Sequence, residues 1–157
     1  MTSIEGFREK LIAAFPPRPF YGRVSTHNEC DDGIALLKEL PGKRWDEIQP
    51  AFLDFNSGSL PLLETTALVA FLPAWLLRSM ETVGEKSVLA EFTMYFLCPG
   101  SEHEGRGESK IVELVSLFDA PQRSIIEDFL RSIVRKETLG AWHADAGRGS
   151  KLWSVQS

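Results

Sequence analysis

Residues 67–77 read Ala-Leu-Val-Ala-Phe-Leu-Pro-Ala-Trp-Leu-Leu, an apolar run with no charge until Arg78. A helix that is apolar on every face belongs inside a protein or inside a membrane. A bilayer span needs about 20 such residues, whereas a run of about 10–14 suits a buried core helix. The stretch therefore predicts a central buried helix over about 65–83, with the other elements packed around it. Pro73 falls in its middle. Without an amide hydrogen it cannot donate to the carbonyl of Val69, so a kink is expected there.

Working outward, the neighbouring segments carry single apolar stripes that such a helix could cover. Ile4, Phe7, Leu11, Ile12 and Phe15 share one helical face over residues 3–15. Thr2 and Glu5 have capping-box spacing, and Pro16 stops the helix. Pro16-Pro17-Arg18-Pro19 predicts an extended connector. A second helix is expected from about Asn28 to Glu39, with Thr26 and Glu29 as its capping box. Pro41-Gly42 ends it. Trp45, Ile48, Phe52, Leu53 and Phe55 continue at near-helical spacing, split by Pro50 into a turn and a short helix.

Residues 88–97 fit both a helix face and a strand alternation. The helical context and the lack of a partner strand favour helix, and 111–118 is read as one or two helical turns. Pro99 to Ser109 is a loop. Asp119-Ala-Pro-Gln122 opens the last helix with a cap, an early proline and a capping-box glutamine. Ile125, Ile126, Phe129, Leu130, Ile133 and Val134 then form its apolar stripe. The fold expected is an all-α, compact single-domain bundle over 1–138 around a Pro-kinked central helix. Gly140, Gly147, Gly149 and few large apolar residues make 139–157 a flexible or docked tail, with Trp142 and Trp153 as its aromatic members.

With 157 residues the chain is long enough for one real core, and 43% hydrophobic with 25% charged residues places it in the ordinary globular class. The net charge of −5 comes without a basic block, which argues against nucleic acid as primary partner, since phosphate binding needs clustered Lys and Arg. Cys30 and Cys98 are the only cysteines; far apart, they form no disulfide framework and no zinc motif, and both are expected as buried free thiols. The first ten residues lack the apolar core of a signal peptide, so a cytoplasmic protein without a membrane span is expected.

Chemistry-bearing motifs are few. Gly147-Arg-Gly-Ser-Lys151 lacks P-loop spacing, and Gly42-Lys43 is followed by Arg44 where a P-loop needs Ser or Thr. There is no Gly-x-Ser-x-Gly elbow. Glu102-His103-Glu104 and His143 with Asp145 carry metal-ligand types, but neighbouring loop residues rarely converge on one ion. Glu29, Asp31 and Asp32 are read as acids suited to the positive end of a helix dipole.

Three elements, Trp45-x-x-Ile48 after a Pro-Gly-Lys turn, Leu72-Pro-Ala-Trp-Leu76 and Gln122-x-x-x-Ile126-x-x-Phe129-Leu130, give the chain a family likeness over roughly 15–136. In their order they resemble a family of small bacterial proteins classed as a domain of unknown function. The resemblance implies a compact helical bacterial domain, supplies no catalytic residues and leaves the Trp-containing tail unexplained.

The expected function is a non-catalytic protein-binding domain, an immunity protein or antitoxin that blocks a basic toxin such as a nuclease. Its candidate contacts are the acidic groups Glu29, Asp31 and Asp32 and Glu102, Glu104 and Glu108. Complementary charge would speed association and select the partner. The alternative expectation is a small metal-dependent enzyme or metal-binding domain using His103, Glu104, His143 and Asp145. No cofactor is implied by any motif.

Overall fold

A computed structural model describes residues 3–83, 85, 88–98, 112–136 and 153. Among them all regular structure is helical, as the periodicity predicts. In chain order the α-helices are α1 (Ile4–Ala14), α2 (Asp31–Glu39), α3 (Pro50–Phe55), α4 (Thr65–Thr82), α5 (Leu89–Leu97), α6 (112–116) and α7 (Ala120–Lys136). Two 3-10 turns, Trp45–Glu47 and Leu60–Leu62, lie either side of α3. No described helix is long and apolar enough to cross a membrane.

The central helix is α4. It runs without a break through Pro73, and Phe71, Leu72, Trp75 and Leu76 are all buried. It packs against α1, α3, α5, α7 and the Trp45–Glu47 turn. Two polar side chains in its last turns are buried as well, and each satisfies itself within the helix. Ser79 Oγ donates to the Trp75 carbonyl at 2.6 Å, and Thr82 Oγ1 donates to the Arg78 carbonyl at 2.9 Å. Gly84, which follows this stretch in sequence, lies outside the described residues.

The helix starts differ from the sequence expectation at two places. In α1 the cap is Ser3, whose Oγ accepts from the Gly6 amide at 3.0 Å; Thr2 of the predicted box lies outside the described residues. In α2 the helix begins at Asp31, not Asn28, and its N-cap is Cys30, whose Sγ accepts from the Gly33 amide at 3.4 Å. The reason is a close approach: a Cβ on Gly33 would lie 1.7 Å from the His27 carbonyl oxygen. The backbone of 27–30 folds over the first turn of α2 and takes the place of the helical turn predicted there. Cys30 is consequently exposed, and only Cys98 is the buried thiol expected, with Sγ donating to the Met94 carbonyl at 3.0 Å.

The start of α7 agrees with its sequence signature. The Gln122 amide donates to Asp119 Oδ1 at 2.9 Å, and the Asp119 amide donates to Gln122 Oε1 at 3.0 Å, which is the reciprocal capping box. Ile125, Ile126, Phe129, Leu130 and Ile133 are buried, and Glu127 pairs with Arg131 on the outer side.

Helix C-termini leave carbonyls without intrahelical donors. Here each described tryptophan supplies one. Trp45 Nε1 donates to the Phe15 carbonyl at the end of α1 at 2.8 Å, and Trp75 Nε1 to the Asn56 carbonyl at the end of α3 at 3.4 Å. Trp153 Nε1 donates to the Leu97 carbonyl at the end of α5 at 3.0 Å. Gln122 Nε2 adds a contact to the Ala14 carbonyl at 3.3 Å. The indoles fill core volume and cap helices at once.

Candidate functional site

The predicted acidic contacts divide. Glu29, Asp31 and Asp32 are exposed where the 26–30 loop enters α2, with Asp31 and Asp32 in the first turn of that helix. Glu29 lines a shallow, open basin of about 380 Å³ together with Thr26, His27, Asn28 and Cys30. Glu102, His103, Glu104, Glu108, His143 and Asp145 lie outside the described residues. Among the described residues no group of three His, Cys, Asp or Glu side chains is placed to hold a metal ion.

A cleft of about 170 Å³ opens between α1, the Trp45–Glu47 turn, α3 and α4. Leu53, Ala74 and Leu77 contribute apolar lining, and Arg8, Asp46, Arg78 and Glu81 contribute charge. Its best-defined feature is a two-pronged ion pair. Arg78 Nε and Nη2 donate to Asp54 Oδ1 and Oδ2 at 2.8 and 2.7 Å, and Glu81 stands 3.6 Å from Nη1. The hydrogen bonds from Arg78 hold the Asp54 carboxyl below its ordinary range; partial burial works against this, and the guanidinium charge adds to it. The same bonds hold Arg78 above its own range. A pair so matched keeps both groups ionised across neutral pH and offers no proton to a reaction. Its role is to tie α3 to α4.

The surface also carries large apolar side chains where water would normally meet polar ones. Phe55, at the last position of α3, is 88% exposed. Val88, just before α5, and Phe92 on it are 51% and 47% exposed, and Tyr95 and Phe96 are half-buried. The opposite side of α5 is the core side: Leu89, Ala90, Thr93, Met94 and Leu97 are buried, with α4 as the main neighbour. The helix thus carries large apolar side chains on both sides, and Phe92 is the one of them on its outer side that is exposed among the described residues.

Phe92 leans on the turn that follows α3, where a Cβ on Gly58 would lie 3.9 Å from its ring. The Leu60–Leu62 turn also contacts α5. The turn that follows α3 therefore lies against α5. Sequence reading missed this region. Phe55 shares the near-helical spacing of 44–56 with Trp45, Ile48 and Leu53, which are buried, yet α3 turns it outward. The signal was present at 88–97: a segment that satisfies helix and strand patterns together has too much apolar surface for one buried face.

Comparison with protein-family models, with curated proteins and with solved structures finds no match to this chain.

Proposed function

We propose that the protein is a non-catalytic binding domain that engages a basic protein partner through the apolar region of Phe55, Val88 and Phe92. The observation that carries this reading is the exposure of three large apolar side chains, Phe55 at the end of α3, Val88 just before α5 and Phe92 on α5. Aromatic side chains at the centre of an interface supply much of the binding energy, and contiguous exposed apolar surface marks interaction sites. The net charge of −5 and the exposed Glu29, Asp31 and Asp32 favour a partner rich in Lys and Arg. A second copy of the same acidic chain would meet like charge. An immunity protein or antitoxin facing a basic toxin fits this description, and the bacterial family resemblance is in keeping with it.

The test is co-expression with the product of the adjacent gene, followed by binding measurements on variants. Phe55→Ser together with Phe92→Ser should weaken binding at least 100-fold, the loss expected for two interface anchors at about 1.4 kcal/mol or more each. Melting temperature should be nearly unchanged. Replacing Glu29, Asp31 and Asp32 by their amides should lower the association rate and its salt dependence, leaving dissociation alone. Binding that survives the double Phe variant unchanged would refute the apolar site.

A further inference from the structure

The cleft between α1, the Trp45–Glu47 turn, α3 and α4 is lined by four charged side chains, Arg8, Asp46, Arg78 and Glu81. Three of them are already paired. Asp46 Oδ1 accepts from Arg44 Nε at 2.9 Å. Arg78 grips Asp54 with two hydrogen bonds and has Glu81 at 3.6 Å from Nη1. Arg8 is the exception. It is half-buried on α1, and among the described residues it makes no ion pair, although Glu5 stands one turn before it on the same helix. Below these charges lies an apolar floor, to which Leu53 of α3 and Ala74 and Leu77 of α4 contribute.

We infer that this cleft is a binding site for a small monocarboxylic acid with a compact apolar body, its carboxylate held by Arg8 and its hydrocarbon part set on Leu53, Ala74 and Leu77. A guanidinium presents five N–H donors in a planar fork that matches a carboxylate, and it stays charged at any ordinary pH. The volume, about 170 Å³, sets the size of the ligand. A cavity of about 150 Å³ admits benzene, so a benzoate or a short branched acid is the right scale. Charge balance sets its class. An organic amine finds both carboxylates of the cleft already paired with guanidinium groups. A phosphate dianion brings two negative charges to one unpaired cation and meets Asp46 and Glu81 as like charges. An uncharged hydrocarbon would cover the Arg8 donors and leave them without acceptors. The site is separate from the apolar side chains proposed above to meet a protein partner, and neither depends on the other.

Titration of the intact chain with sodium benzoate, followed by amide and indole NMR shifts, tests the site. Signals of Arg8, Asp46, Leu77 and the Trp45 indole should move together and saturate, with a Kd below about 10 mM. Benzamide, benzylamine and inorganic phosphate, which change only the charge or remove the apolar body, should bind at least roughly tenfold more weakly. Arg8→Gln should weaken benzoate by a similar factor with the melting temperature nearly unchanged, and Arg8→Lys, which keeps the charge without the fork, should fall between the two. Arg18→Gln, on an exposed arginine of the connector before α2, should bind benzoate like the native chain. Shifts that grow linearly without saturation would overturn the site. So would an equal response to phosphate, which would reduce the effect to charge screening, or undiminished benzoate binding by Arg8→Gln. The comparison of benzoate with benzamide needs no variant, so the inference stays testable whatever the substitutions do to folding.

Discussion

Trp75 shows what a single side chain does in this fold. It is fully buried in α4 and its indole N–H reaches the end of α3, so it fills volume and satisfies a helix terminus together. Trp75→Ala removes both functions and should cost about 3–5 kcal/mol, measured as the shift in urea unfolding midpoint at constant slope. A change below about 1 kcal/mol would contradict the central place given to α4. At this scale sequence reading succeeded unevenly. Trp75 was identifiable because a run with no polar position has no surface to offer. Phe55 was not, because the spacing that assigns a residue to a helix does not say which neighbours that helix meets. Gly33 was equally silent: its need for a missing side chain arises from the His27 carbonyl, which folds back onto it.

Between elements, caps and one ion pair set the joints. The reciprocal Asp119–Gln122 box opens α7, and Asp119→Ala should destabilise the protein by about 0.5–2 kcal/mol, read from equilibrium urea denaturation. Between α3 and α4 the Asp54–Arg78 pair contributes less, because Asp54 keeps 41% of its side-chain exposure and solvent screens the charges. Under about 1 kcal/mol is expected. Its pH dependence has a definite sign. The folded-state pKa of Asp54 is lowered from 3.8, so the contribution is fully present above that value and is lost as pH falls through the folded pKa. Asp54→Asn should therefore lower stability slightly at pH 7, and the gap to the native chain should close on acidification below about 3.8, followed by urea titrations at a series of pH values. A gap that widens in acid would contradict the assignment. The cap of α7 was readable from sequence, whereas the capping-box spacing before α2 was misleading, because the His27 carbonyl folds back onto Gly33 there.

For the molecule as a whole, the all-helical architecture and the central helix followed from apolar periodicity, since each striped helix needs an apolar partner and α4 is the one able to serve several. The candidate site did not follow. Of the acidic residues the sequence offers, Glu29, Asp31 and Asp32 are exposed and Glu29 alone lines an open basin, while the apolar side chains of α3 and α5 are seen to be exposed only when the elements are placed together. An interface belongs to tertiary arrangement, and periodicity reports only on secondary structure. The pairing of α1 with α7 has a further consequence for the chain as it is made. Ala14 meets Gln122 across 108 residues, and Phe7 lies against Phe129. At a synthesis rate of about 5–20 residues per second, α1 would wait roughly 5–20 s on the ribosome before its partner helix is translated. During that interval Phe7, Leu11 and Phe15 have no finished core to enter, so the nascent N-terminal helix is a natural client for chaperones until α7 emerges.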